Sequence, residues 1–564
     1  MTKTKIAALP PLYLLFLPLL VWMLPLLQGM PEDSEFQTDS VMRGETRKLL
    51  QYLEKVHYSG KNIQDIQADE LIKTYMSNLD HQRLFFHQSD LKNFQFRFSS
   101  MMDIYLRQGT LMPAFEIFKV YRTQALQRLD WIFKRLNEPF DFTTDETYQP
   151  DRSEATWPES SKEADELWEK RLKHQLINEM LGKSPNEEEL TSEAGDTSGT
   201  QTDAKDLDKE GENLPDDPLE HLDEAIEVLT KRYQQIQRNI EQIEPTEVQE
   251  TFLTSLTHLY DPHSTFLSAD SLEDFAIAMK NSLVGIGAML SNENGYCTIK
   301  ELVPGGPADT SNKLTPEDRI IGVAQGEGEM QDVIGMKLRK IVEQIRGKKG
   351  TQVRLLIQPA NADPSERKEI TLIRDKVKLT ASLAQAEIFQ IPHNGATYSI
   401  GVIDLPSFYG GDKSKSEGTT EDVEELIHQL KDAGVQGLVL DIRNNGGGLL
   451  SEAVKLAGLF IPEGPVLQVK NTIGRIQKHA DTDEKVAWDG PLILLVSKLS
   501  ASASEIVTGA LKNHSRALVI GDKSTHGKGT VQAVFELDKT NRNRLFGSNN
   551  KNEQGAAKVT IQKW

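Results

Sequence analysis

Leu492-Ile493-Leu494-Leu495-Val496-Ser497-Lys498-Leu499-Ser500-Ala501-Ser502-Ala503-Ser504-Glu505-Ile506 is the stretch that decides the fold. Five apolar residues without a break read as a strand covered on both faces, which needs no polar alternation. The Ser/Ala string behind it opens a helix expected over 503–512. Working outward, further strands are expected at 399–405, 437–441 and 517–520, and helices at 423–433 and 450–459. That alternation marks an α/β domain. A serine at a strand-to-helix turn projects its hydroxyl outward, and the first N–H groups of the helix are free to stabilise an oxyanion. Read in isolation, the same residues serve equally as a helix cap, since a serine three residues before an acid is the commoner pattern of a first turn.

Gly527-Lys528-Gly529-Thr530-Val531-Gln532 opens the next α/β step. A lysine buried between small residues loses its proton near neutral pH and can then serve as general base toward a serine hydroxyl. The plainer reading is an exposed loop lysine. A phosphate loop is excluded, because the glycine it needs ahead of the Gly-Lys pair is Asp522.

The 564 residues carry 64 Lys+Arg against 84 Asp+Glu, a formal charge of −20, and 38% are hydrophobic. That length implies about three or four domains with ample core. The acidic balance argues against a nucleic-acid partner. The single cysteine, Cys297, excludes a disulfide framework and a cysteine-based metal cluster, and reads as a small apolar strand residue. Neither a metal nor a cofactor is expected.

Residues 1–30 read as an export signal: Lys3 and Lys5 precede an apolar run from Ile6 to Leu27. The run is also long enough for a retained N-terminal anchor, so membrane attachment stands as the alternative to cleavage. Residues 31–250 read as a helical domain, with apolar residues at three- and four-residue spacing, as in Leu49, Leu50, Leu53 and Val56. Within it, 185–217 is expected to be a disordered insertion, because twelve acidic residues face only Lys205 and Lys209 and apolar residues all but vanish. Residues 251–278 connect to a small β-rich domain over 279–362, and 363–564 form the α/β core.

Taken together, these segments resemble the tail-specific proteases, or C-terminal processing peptidases, serine endopeptidases with a Ser–Lys pair. The resemblance rests on Ser-Ala-Ser-Ala-Ser-Glu, on Gly-Lys-Gly-Thr-Val-Gln, on Tyr260-Asp261-Pro262-His263-Ser264, on Val303-Pro304-Gly305-Gly306-Pro307-Ala308, and on Leu440-Asp441-Ile442-Arg443-Asn444-Asn445-Gly446-Gly447-Gly448. The helical part adds Leu79-Asp80 and Arg83-Leu84-Phe85-Phe86. It implies a multidomain α+β protein: a helical N-terminal domain, then a PDZ-like domain inserted before an α/β, crotonase/ClpP-like protease core. It further implies Ser502 as nucleophile, Lys528 as general base, and Gln532, one helical turn beyond it, as the group orienting the lysine. The oxyanion hole would come from the N–H groups of Ala503, Gly446 and Gly447.

In the PDZ-like domain, Gly285, Ile286, Gly287 and Ala288 would hold a terminal carboxylate, with the peptide added as a strand beside 288–291. Leu338 and Ile341 would line the groove for a nonpolar last residue, although core packing accounts for apolar residues of that helix equally well. The resemblance also implies as partners unfolded or tagged proteins with nonpolar C-termini, a lipoprotein-type adaptor on the helical part, and a periplasmic location, anchored to the inner membrane if the leader is retained. Relatives continue beyond the final strand, so 559–564 is expected to present an unpartnered edge and the chain to be truncated. A catalytically inactive adaptor that binds C-termini through its PDZ domain is the alternative function. A Ser–His–Asp site would require His263 or His526 beside Ser502.

Overall fold

The structure, a computed structural model, describes residues 36–182, 221–293, 295–360, 362, 363, 365–410, 418–537 and 554–564. The expected leader and acidic insertion lie outside the described residues.

Helices Ser40–Val56, Ala68–Leu79, Met112–Leu136, Ser161–Leu181, Leu222–Glu241 and Pro245–His258 carry the N-terminal part. Their apolar stripes meet in one core that holds Leu49, Leu53, Tyr75, Phe118, Trp168 and Phe252, all buried. The Asp80 motif has a structural task. Its carboxylate accepts the N–H groups of Leu84, Phe85 and Phe86 and the indole N–H of Trp157, at 2.8–3.1 Å, and so closes a turn that apolar packing alone would leave with orphaned donors. The same core includes Phe266, Leu537, Ala557 and Val559 from the far end of the chain. Among the described residues no helix is long and apolar enough to cross a membrane.

The small domain is a six-stranded antiparallel sheet with the helix Leu338–Ile345 packed on it. Cys297 is buried on the strand Tyr296–Leu302, where loss of hydration pushes its thiol up to about 12. The domain extends past the expected boundary at 362, because Lys368–Ile373 pairs with Gln352–Gln358 and supplies Ile370 and Leu372 to the core. Its entry and exit segments, Ser282–Gly285 and Asp375–Lys378, pair with each other.

The last part has two sheets. In the first, Ala396–Asp404, Gly437–Asp441, Leu492–Val496 and Leu518–Gly521 run parallel in that order, with Gln385–His393 antiparallel at one edge. Helices Thr419–Asp432, Leu450–Gly458 and Ala503–Asn513 are threaded between these strands. In the second sheet the final strand, Ala556–Lys563, lies between partners rather than at an edge. It pairs with Thr265–Leu267, with Thr530–Glu536 and with Gly464–Asn471. The expectation of an unpartnered edge is therefore overturned, because a segment before the small domain folds back to cover it.

Candidate active site

Ser502 caps the helix Ala503–Asn513 with φ 56° and ψ −112°, a conformation that side chains other than glycine rarely adopt. Its neighbours in the serine string are held elsewhere. Ser500 is buried and donates to the carbonyl of Ile442 at 2.7 Å, and Ser504 is buried and donates to that of Asn445 at 2.8 Å. The Ser502 hydroxyl donates to no backbone carbonyl among the described residues, and it is the partly exposed one of the three.

Glu505 holds the turn together. One of its oxygens accepts the N–H of Ser502 at 2.8 Å and that of Lys528 at 2.9 Å; the other accepts the N–H of Gly527 at 2.6 Å and the hydroxyl of Thr525 at 2.8 Å. The capping spacing legible in the sequence is thus real, and the cap also fastens the lysine loop to the serine turn. Ser502 and Lys528 share no hydrogen bond here; such contacts in unliganded enzymes often tighten only with substrate. Lys528 is half-buried, and its ammonium is held below the ordinary lysine range by burial first and by Lys558 second, against the opposing pull of Asp261 and Glu505.

Gln532 lies on the strand Thr530–Glu536, not on a helix as expected. Val531, Val534 and Phe535 suit a pleated surface, and that strand pairs along its length with the final one. Gln532 stands opposite Thr560 and donates its Nε2 to the hydroxyls of Thr530, at 2.9 Å, and Thr560, at 3.0 Å.

Of the expected oxyanion donors, Gly447 is already engaged, because its N–H donates to Oδ1 of the buried Asn445 at 2.8 Å. Its contribution is the missing side chain: at φ +104° a Cβ would stand 2.8 Å from that of Ser502. The N–H groups of Ala503 and Gly446 carry no hydrogen bond among the described residues. Asn445 also accepts the Ala501 N–H at 3.0 Å on its carbonyl, which staples the glycine turn to the serine turn. Neither His263 nor His526 hydrogen-bonds Ser502; His526 instead donates its backbone N–H to the Ser500 carbonyl at 3.0 Å.

In the small domain the carbonyls of Ile286 and Gly287 accept the N–H groups of Ala308 and Val303, at 2.7 and 2.9 Å. These bonds hold the loop while Gly285 pairs with Asp375, and Ala288 begins an edge strand, Ala288–Glu293. Ile341 lies in the core at 1% exposure, so it is not a groove residue; the helical period leaves Leu338 and Val342 half-buried at the cleft instead. Those two face the helix Ala269–Lys280 across a cleft of about 270 Å³, where Asp274 pairs with Arg339 at 3.1 Å and Arg346 at 3.2 Å.

Residues 49–270 match the model of the tail specific protease N-terminal domain, 275–358 that of the PDZ domain, and 399–564 that of peptidase family S41. The chain carries, in order, the three domains of a tail-specific protease. It is similar to the tail-specific protease of Haemophilus influenzae, 34% identical over 501 residues, which cover 88% of this chain and 65% of that protein. It is also similar to a probable CtpA-like serine protease of Staphylococcus aureus, 32% identical over 287 residues, which cover 50% of this chain and 51% of that one. A solved PDZ domain of a carboxy-terminal protease from Vibrio cholerae, in complex with peptide, is 44% identical over 17% of this chain and 99% of its own, with a TM-score of 0.17. The chain therefore spans under two-thirds of the length of these curated relatives. The residues that local sequence patterns missed are Glu505 as a clamp, Asn445 as a staple, and the partners of Asp261 described below. Only Glu505 left a local signal, its spacing from Ser502.

Proposed function

We propose that this chain is a serine endopeptidase that takes proteins with nonpolar C-termini on its PDZ domain and cleaves them with Ser502 and Lys528. The carboxylate of Glu505 carries the reading: by binding the backbone N–H groups of both residues it fixes the one serine whose hydroxyl is not committed to a carbonyl beside a half-buried lysine. Ser502 attacks the peptide carbonyl, neutral Lys528 takes its proton and returns it to the leaving amine, and water releases the acyl-enzyme. The N–H groups of Ala503 and Gly446 receive the oxyanion. The tail enters by strand addition along Ala288–Glu293, its carboxylate on the loop N–H groups and its last side chain against Leu338 and Val342. The apolar leader supports the rest of the proposal, a periplasmic enzyme that is anchored at the inner membrane if the leader is kept.

The test is cleavage of an unfolded reporter with a nonpolar tail by the wild type, Ser502→Ala and Lys528→Ala, beside a reporter with a charged tail. Cleavage by the wild type only, and only of the nonpolar tail, is the expected result. A folded wild type that binds the tail and cuts nothing would replace the enzyme by an adaptor.

A further inference from the structure

The Tyr260-Asp261-Pro262-His263-Ser264 motif takes no part in the chemistry above, yet Asp261 collects four donors from three parts of the chain. Its Oδ1 accepts the N–H of His263 at 2.8 Å and the hydroxyl of Thr560 at 2.9 Å. Its Oδ2 accepts Nε2–H of His57 at 2.6 Å and the hydroxyl of Ser264. His57 is 2% exposed, and its Nδ1 accepts the backbone N–H of Ser59 at 3.0 Å, which leaves Nε2 as the protonated nitrogen. Ser264 in turn accepts the N–H of Thr560 at 3.0 Å.

The direction of the hydrogen bonds matters more than their number. An ionised carboxylate only accepts, so the Thr560 hydroxyl must donate to Asp261. Having donated its one proton, that hydroxyl can only accept from Gln532, which requires the amide nitrogen of Gln532 to face it. Nε2 of Gln532 is thus committed to Thr560 and Thr530, and Oε1 is left as an acceptor directed away from both. A carbonyl oxygen is what an ammonium or amine of a catalytic lysine needs in order to be oriented; an inverted amide would present two donors and repel it.

We infer that Asp261, acting through Thr560, is a positioning residue that fixes the polarity of the Gln532 amide so that its oxygen faces Lys528, with His57 of the helical domain holding Asp261 in turn. The inference rests on the Ser502–Lys528 reading. It gives the helical domain a part in the site, since His57 is supplied by the segment directly after its first helix. The charged and titratable groups around Lys528 are Lys558 on the final strand, Glu505 on the helix behind Ser502, Asp261 and the His263 imidazole.

The test uses the full chain with Thr560→Val, Thr560→Ser and Asp261→Asn, read by the kcat and KM of reporter cleavage, the pH profile, and an NMR titration of Lys528. Thr560→Val keeps the shape and charge of the buried side chain and removes only the hydroxyl. It is expected to lower kcat about tenfold or more with KM within about twofold, as small misplacements of reacting groups do. Thr560→Ser should restore most of the loss. Both Thr560→Val and Asp261→Asn should move the Lys528 titration to lower pH, the first by letting the Gln532 amide turn its oxygen away from the ammonium, the second also by removing a negative charge, by about half a unit to one unit. A Thr560→Val enzyme with wild-type kcat, or a Lys528 titration that neither substitution moves, overturns the inference. If Asp261→Asn does not fold, the Thr560 pair decides alone. Absence of wild-type cleavage, or cleavage that survives Ser502→Ala, rejects the protease reading separately, and the titration, which needs no turnover, still tests the network.

Discussion

Replacing Glu505 by Gln keeps the size of the side chain and removes one acceptor oxygen and the charge. In the native turn each oxygen serves two donors, with Ser502 and Lys528 on one and Gly527 and Thr525 on the other. Whichever way the new amide turns, its NH₂ confronts two donors and leaves them without an acceptor. At about 1–1.5 kcal/mol for each lost bond the deficit is about 2–3 kcal/mol. Three of this side chain's four bonds reach the lysine loop, beside the backbone bond from His526 to Ser500, so the deficit falls on the alignment of Ser502 with Lys528 rather than on the global fold. Converted to a rate it is about 30- to 150-fold in kcat/KM. A second signature separates misalignment from unfolding. Glu505 pulls the Lys528 ammonium upward, so its neutralisation should move the acid limb of the pH–rate profile to lower pH while the absolute rate falls. The assay is reporter cleavage from pH 5 to 10 with circular dichroism on the same samples. A Glu505→Gln enzyme within threefold of wild type, or an acid limb that moves upward, would refute the clamp.

Gly447→Ala should be inactive by at least tenfold in the same assay, because a Cβ at φ +104° would stand 2.8 Å from Ser502 Cβ and 2.9 Å from the Ala501 carbonyl. Gly509→Ala, in open space on the neighbouring helix, should keep activity and raise stability by about 0.5–1 kcal/mol in denaturant titration. Leu338→Asp should weaken binding of a nonpolar tail peptide about tenfold in fluorescence anisotropy and leave the PDZ domain folded, whereas Ile341→Asp should unfold that domain. Acid stability should depend on Asp261: burial raises its carboxyl, but the bonds from His57, Ser264, His263 and Thr560 outweigh that and hold it well below the usual range. A depressed carboxylate stabilises the fold above its unfolded value, so the contribution is lost as pH falls below about 4, and Asp261→Asn should flatten the pH dependence of denaturant midpoints between pH 5 and 2.

Which of these features were legible in the sequence follows from how local their causes are. Leu492–Val496 and Gly437–Asp441 stand where the apolar runs put them, since burial on both faces writes itself into consecutive residues. The helical place that the resemblance implies for Gln532 meets no local contradiction, because Gly-Lys-Gly-Thr gives no period, and the strand it joins finds its partner only in Ala556–Lys563. The spacing of Leu338, Ile341, Val342 and Ile345 announces a helix with an apolar face, but which of them faces the sheet is settled by residues such as Ile299 and Val323, so Ile341 went to the core. Asp261 is the extreme case. Its donors come from positions 57, 263, 264 and 560, and no window of sequence holds them together.

The final strand explains why so much of the site escapes a local reading. Ala556–Lys563 supplies Thr560 to the Gln532 and Asp261 network, Lys558 to the field at Lys528, and Ala557 and Val559 to the core of the helical domain. Trp564, just after it, donates its N–H to the carbonyl of Gly529, beside the lysine, at 3.0 Å. One strand therefore touches the lysine loop, the Gln532 amide and the helical domain together. The helical domain also borders the strand that carries Gln532, where Tyr52 stacks on Phe535 with ring centroids 4.6 Å apart, so both strands of the proposed positioning network are packed against it.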